Sequence, residues 1–526
     1  MQLDAAPLAS DLDTACRTWS DRVAIRTRGD SITYAQLWRR VEVLASELVR
    51  RGVGPGDRVL CSLRTNAEHI VAMHAAWHCG AIHVGVHNEL TARELVELVE
   101  RLEPSAVLFE PRGSDGSSGG LAAVAAVAPG MARFVHRRPA GPGEQMLAEV
   151  LAGDPAPGTA FPAVDAAADA VLFLTSGSTG RPKAVIDSLA GLRGKVAFFH
   201  EAFRPGPGDV HLLFLPICHA FGMKLATLAL LSGGRLVLPE RFSAPEVLEL
   251  VAGEAVTVLP ATPTHLSILL SHLEAGSTAP VGSLRWVPTA AAPLGGALAA
   301  QVYQRLGVEV FSVYGCSEGF LCTTTDRADV LAGSVGRRVY RGPPPTPPAG
   351  TVAVVDPQTG VAVPAGELGE ITFATNGPVR YWDEPAVGGD GWYRSGDLGR
   401  LDAGGRLFVL GRRKELVNRG GLKVSPAEIE SELSRHPDLR DAAVVPSADP
   451  VLGEAICACV VPAGPHCPSL NDVRAFLAPT LARHKLPDEL CQLEQLPRSS
   501  IGKLDRAALA ALVDGEGLPR QRLRPR

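Results

Sequence analysis

The sequence predicts an α/β protein of two unequal domains, a large multi-layer N-terminal domain with mainly parallel sheets over residues 1–411 and a smaller α+β C-terminal domain over residues 412–526. Three observations predict it. At 526 residues the chain is too long for one ordinary core. Through roughly its first 400 residues, short apolar runs ending in Gly, Pro or Thr alternate with helical patterns, the texture of parallel strands covered by helices. After Gly411 the texture becomes a compact mixture of one helix start and apolar runs.

The runs at residues 170–174, 256–259, 308–313 and 351–355 read as buried strands. Residues 111–142, rich in Gly, Ser, Ala and Pro, read as a surface connection, and so does the Pro-rich run at 341–348, which suits neither a helix nor an interior strand. In the C-terminal part, Ser425-Pro426-Ala427-Glu428 reads as a capping box that opens a helix, with proline at the first helical position. Strands are predicted at 442–445 and 455–461, and the Arg-rich residues 519–526 read as a solvated tail.

Composition narrows the function. A net charge of −5 argues against nucleic acid as the main partner, since phosphate backbones are bound by excess Lys and Arg. No apolar run reaches the ~20 residues that span a bilayer, and the first residues lack a leader pattern, so a cytoplasmic protein with no membrane partner is expected. The close pair Cys457 and Cys459 lies in an apolar run and reads as reduced packing residues. Lysine is scarce: seven of the 51 basic side chains are Lys, so each one merits a reason.

The run at 170–174 leads into Thr175-Ser176-Gly177-Ser178-Thr179-Gly180-Arg181-Pro182-Lys183. Glycines let backbone N–H groups approach phosphate oxygens, hydroxyls add donors, and lysine adds charge. Pro182 stands where the nucleotide-triphosphatase loop carries glycine before lysine, so this is a different phosphate loop. Four further segments follow in order: Tyr314-Gly315-Cys316-Ser317-Glu318, Tyr393-Arg394-Ser395-Gly396-Asp397, Gly411-Arg412-Arg413-Lys414, and Pro497-Arg498-Ser499-Ser500-Ile501-Gly502-Lys503. Together the five resemble the motifs of the adenylate-forming superfamily, which includes acyl- and aryl-CoA ligases, luciferases and peptide-synthetase adenylation domains. The resemblance extends from about Asp21 to Arg506.

The resemblance implies ATP and Mg²⁺ as cofactors, a small aryl or short acyl carboxylic acid as substrate, and CoA or a carrier-protein phosphopantetheine as co-substrate. By it, Tyr314 packs on adenine, Asp397 accepts the ribose hydroxyls and Arg412 adds a ribose contact. Ser317 donates to the α-phosphate or the carboxylate, and Glu318 holds the metal, a hard cation suited to oxygen ligands. Lys503 is the catalytic lysine, Lys414 the hinge between the domains, and Gly420 with Gly421 the wall of a thiol tunnel. The segments at 215–224 and 289–293 are the implied acid pocket, with His219, Phe221, Lys224, Ala290 and Ala291. Lys195 and Lys224 lie in apolar surroundings near these segments, which suits either a pocket role or a solvated side chain. An aspartate for an α-ammonium is not evident, so an ordinary α-amino acid is not the expected substrate.

Ala184, Leu189 and Gly85 depart from the common family pattern, which leaves the substrate and the acceptor open. An alternative within the superfamily passes the adenylate to a non-thiol nucleophile, forming an amide, or activates nitrite to diazotise an aryl amine. A rival from another class reads Gly315-Cys316-Ser317-Glu318-Gly319 as the nucleophile elbow of a serine hydrolase, which leaves the other motifs unexplained. The series His69, His74, His78, His83 and His87 reads as packing or solvated histidines, because Gly80 interrupts the helix that would align them.

Overall fold

A computed structural model describes residues 8–111, 119–175, 182–274, 281–319, 321–324, 326–336, 352–375, 379–420, 422–498, 504–515 and 518–522. A seven-stranded sheet runs in the order Gln145–Met146, Ala132–Val135, Ala106–Phe109, Arg58–Ser62, Ile82–Gly85, Asp169–Thr175, Lys183–Ser188. All pairings are parallel except the last, an antiparallel hairpin whose connection is the phosphate-loop segment. A second sheet orders Val210–Leu212, Arg235–Val237, Val23–Arg26 and Ser31–Thr33, and single bridges at Val258 link it to Trp286–Thr289, itself parallel to Glu309–Gly315.

The predicted, mainly parallel character holds for these two layers, with Val23–Arg26 and Ser31–Thr33 an antiparallel pair in the second. It fails for Val352–Val355, Gly369–Ala374, Trp392–Leu401 and Leu407–Arg412, which form a four-stranded antiparallel sheet. The run at 256–259 makes only bridges at Val258 and not a continuous strand.

The main apolar core lies where helices pack between sheets, and two features fix it. Trp77 on the helix Ala67–His78 donates its indole N–H to the Ala170 carbonyl at 2.8 Å, tying helix to sheet. The helix Ala220–Leu231 is apolar on every side, so it has no solvent face, and residues 222–231 are all buried. Lys224 is carried inside by this helix, 3% exposed.

Three local expectations are overturned. Residues 111–142 contain the helix Gly119–Val127 and the buried strand Ala132–Val135 as well as turns. There the helix packs at Gly120 against Leu95 and the Phe109 ring, which a Cβ would meet at 3.4–3.5 Å, ordinary van der Waals contact. The Ser425 capping box does not form: Ser425 donates to the Leu410 carbonyl and Glu428 pairs with Lys485 at 2.6 Å. The expected solvated tail contains the strand Arg520–Arg522, held on Glu489–Gln492 by backbone pairing and by Arg522 to Glu489 at 2.8 Å. The predicted strands at 442–445 and 455–461 are the cores of Leu439–Asp449 and Gly453–Pro462, and residues 341–348 lie outside the described residues.

Cys457, Cys459 and Cys491 are buried free thiols in the C-terminal core. Among the described residues no helix is long and apolar enough to cross a membrane.

Candidate active site

Thr175 ends one strand of the hairpin and pairs in register with Lys183, which begins the next. Ser176, Gly177, Ser178, Thr179 and Gly180 lie outside the described residues. Lys183 is held at the loop's end by Glu384, at 2.8 Å, and stands over the Tyr381 ring, 4.7 Å from its centroid. The Glu384 hydrogen bond raises the Lys183 pKa, so the side chain is a cation at neutral pH.

Strand register builds the next group. Asp397 and Arg412 are cross-strand partners, and Arg412 Nε lies 3.1 Å from Asp397 Oδ1. Tyr314, near the end of Glu309–Gly315, donates its hydroxyl to Asp397 Oδ2 at 2.7 Å. Burial, with the Asp397 charge beside it, pushes the Tyr314 pKa well up, so the phenol is always a donor. Each carboxylate oxygen keeps a lone-pair direction for a further donor, as a pair of ribose hydroxyls would require.

Ser317 and Glu318 follow on the turn beyond that strand. The Glu318 carboxylate accepts the Tyr393 hydroxyl at 3.1 Å through Oε1, and Tyr393 meets the Tyr381 hydroxyl at 3.3 Å. Among the described residues no histidine is bonded to Ser317, which removes the base that a hydrolase elbow needs.

The residues expected in the acid pocket lie on several elements, and Lys195 among them reaches the Ser317 carbonyl. His219 caps the helix Ala220–Leu231 and meets His87 at 2.8 Å between Nε2 atoms, so one imidazole donates and the other accepts. Gly85 has a physical reason: a Cβ there would lie 2.8 Å from Cys218 Cα, and glycine lets the pocket segment close onto the sheet. Phe221 packs against the apolar cluster that holds Ala290, Phe173 and Met223. Ala291 has φ +74°, a left-handed backbone rare for a residue with a Cβ and a form of strain that collects at functional sites.

Lys195 Nζ lies 2.5 Å from Asp187 Oδ2 and 3.4 Å from the Ser317 carbonyl. Burial pushes the Lys224 pKa down to about 7, Lys195 adds to that fall, and Asp187 and Cys316 oppose it.

Lys503 and Gly421 lie outside the described residues. Gly420 has φ +56° and donates its N–H to the Leu452 carbonyl at 2.8 Å. Lys414 sits in the short turn Arg413–Glu415, whose Glu415 is bound by Arg506 at 2.9 Å. Sequence reasoning missed Asp187, Glu384, Tyr381, Tyr393 and His87. Asp187 carried a signal, an acid ending the otherwise apolar Ala184-Val185-Ile186, and Tyr393 was the unused first residue of a quoted motif.

A layered α/β body with a tyrosine and an arginine holding one aspartate, the tyrosine close in sequence to a Ser-Glu turn, fits the motifs of adenylate-forming enzymes. The chain belongs to the AMP-binding enzyme family: that family's model matches residues 12–381, and the model of the AMP-binding enzyme C-terminal domain matches residues 428–503. A salicylyl-CoA synthase / salicylate adenylyltransferase of a Streptomyces species is 31% identical, over 97% of this chain and 94% of its own. ATP-bound MatB from Rhodopseudomonas palustris has the same fold, with TM-score 0.82, 29% identity, and coverage of 96% of this chain and 98% of its own. The amide bond synthetase McbA from Marinactinospora thermotolerans matches at TM-score 0.82 and 26% identity, covering 97% of this chain and 100% of its own.

Proposed function

We propose that the chain is an ATP-dependent, AMP-forming acid–thiol ligase that adenylates a small aryl or short acyl carboxylic acid and passes the acyl group to CoA. The observation that carries this reading is the Asp397 carboxylate held between Tyr314 at 2.7 Å and Arg412 at 3.1 Å, beside the Ser317-Glu318 turn. That arrangement suits a ribose with its α-phosphate next to an acid. The likeness to a salicylyl-CoA synthase supports the acid class. A carrier-protein phosphopantetheine serves in the same place as CoA, and the cytoplasm supplies ATP and CoA together.

In the first step an acid carboxylate oxygen bonds to the α-phosphorus of ATP, the bond to the bridging oxygen breaks, and pyrophosphate leaves. Lys183 meets phosphate charge, Ser317 donates to the α-phosphate or carboxylate, and Lys503 stabilises the charge that builds between them. Glu318 fits Mg²⁺, because Oε2 carries no hydrogen bond among the described residues and a hard cation takes such an oxygen. Bound there, the cation neutralises phosphate charge. In the second step the thiolate sulfur bonds to the acyl carbon, the bond to AMP breaks, and the thiol proton goes to solvent. We place the domain boundary between residues 411 and 412, with the pivot at Lys414 and the thiol entering along Gly420 and Gly421.

Pyrophosphate release, measured over a panel of aryl and short acyl acids with and without CoA, tests the reading. Acid-dependent release, with acyl-CoA formed when CoA is present, is the expected result. ATP-independent ester cleavage with fluorophosphonate labelling of Ser317 would overturn it. The likeness to McbA favours a second reading, in which an amine takes the acyl group; amide formation without CoA would select it.

A further inference from the structure

Among the described residues, Lys224 is a buried lysine that no carboxylate pairs with. It is 3% exposed on a helix buried on all sides, and its ammonium has no hydrogen bond or ion pair among the described residues. The Phe173 ring stands 6.0 Å away. The charged and titratable groups that act on it are Lys195 from the helix Leu189–Phe203, Asp187 from the strand Lys183–Ser188, and Cys316 beyond the strand Glu309–Gly315. Asp187 is already taken by Lys195, and both side chains of that pair are near-buried, at 9% and 11% exposure. Of the two neighbouring lysines, Asp187 therefore pairs with one.

An unmatched ammonium away from water is costly, and the described residues supply no second carboxylate to this group. Its position limits where the partner must come from. Lys195 touches the Ser317 carbonyl, and Cys316 is the residue before Ser317, so the excess positive charge lies immediately behind the turn that meets the reacting carboxylate.

We infer that Lys224 binds a second anionic oxygen group of the acid, so that the preferred substrates are carboxylic acids carrying a further carboxylate, sulfonate or phenolate. The inference rests on the adenylating reading above and deepens it. It has a consequence in protons. With its pKa near 7, Lys224 is largely neutral at pH 8, and an arriving anion favours the charged form. Binding of such an acid at pH 8 draws in a proton, and its apparent affinity falls as pH rises above about 7.

The test uses the full chain and its near-isosteric variant Lys224→Met, with thermal melts to confirm folding. ATP–pyrophosphate exchange is measured for matched pairs, benzoate against isophthalate and 3-sulfobenzoate, and butyrate against succinate, with nitrite as a separate arm. The expected result is a wild-type preference for the second anion that collapses roughly 10–100-fold in Lys224→Met, the size of one charged hydrogen bond. Most of that loss should appear in KM for the acid. Calorimetry at pH 8 in two buffers of different ionisation enthalpy should show proton uptake by the wild type on binding the dianion and none by the variant.

Exchange with monoacids only, with the same pair ratios in Lys224→Met, would overturn the inference and leave the adenylating reading intact. So would exchange with nitrite alone, because Lys224 would then face the reacting oxyanion itself. Exchange with no acid and no oxyanion would defeat the adenylating reading, and the inference with it.

Discussion

At the scale of single residues, the strongest demand falls on Asp397. Its two oxygens are held by Tyr314 and Arg412, so the carboxylate is already aimed before any ribose arrives. Asp397→Asn keeps the shape, removes the charge and offers Tyr314 and Arg412 a poorer acceptor. The loss of charged hydrogen bonds should raise KM for ATP about 10–100-fold, read by pyrophosphate exchange at saturating acid. An unmoved KM would place the ribose elsewhere. This part of the site was legible in the sequence because each residue type matched its task within an ordered set of motifs. Lys195 and Lys224 were legible only as scarce lysines in apolar surroundings. What the sequence could not give was their difference: Asp187 neutralises one and not the other, and that follows from how a strand end meets a helix.

At the scale of elements, the helix Leu189–Phe203 offers a direct comparison between two glycines. A Cβ on Gly191 would collide with the Asp187 carboxylate, whereas one on Gly194 meets nothing within 4 Å. Gly191→Ala should therefore push Asp187 off Lys195 and raise KM for the acid severalfold, with a lower Tm. Gly194→Ala should stabilise the helix by about 0.5–1 kcal/mol and leave the site alone. Melting curves and acid titrations on the two variants decide it, and equal behaviour would remove the glycine from the argument. Element errors in the sequence reading have a common physical origin. Ser425 had the pattern of a cap, but tertiary acceptors won: its hydroxyl reaches Leu410 and its intended partner Glu428 finds Lys485. Residues 111–142 looked like a loop because small residues build a helix that needs little side-chain volume against Leu95 and Phe109.

At the scale of the whole molecule, two properties follow from how the parts are assembled. Burial holds the pKa of His69 and His211 down to about 4 and that of His74 to about 3, from an ordinary 6.5, and both His74 nitrogens are unpartnered among the described residues. These imidazoles are neutral in the native chain, so below pH 6.5 the unfolded state binds protons that the native state does not. Stability should fall as pH drops from 6.5 towards 4, and His74→Leu should flatten that fall; an unchanged slope of Tm against pH in the variant would discard the explanation.

The second is a proposed one, alternation of the domains. Arg506 binds Glu415 at 2.9 Å, Glu430 at 2.8 Å and the Val444 carbonyl at 2.8 Å, which fastens the end of the turn that holds Lys414 to the C-terminal body. Any swing of that body would then turn on the segment before Glu415, where Gly411 has φ +132°. If the body swings there, Lys503 and the Gly420-Gly421 segment take turns at one cleft. Lys503→Ala should then cost on the order of 10²–10³-fold in adenylate formation while thiolysis of a supplied acyl-adenylate survives. Gly421→Leu should do the reverse, because a bulky side chain obstructs a pantetheine arm where glycine permits close approach. Both half-reactions must be measured on both variants with CoA. Equal loss of both steps in Gly421→Leu, with the fold intact, would count against alternation, and indifference of the wild type to every thiol would move the assignment to an amine acceptor.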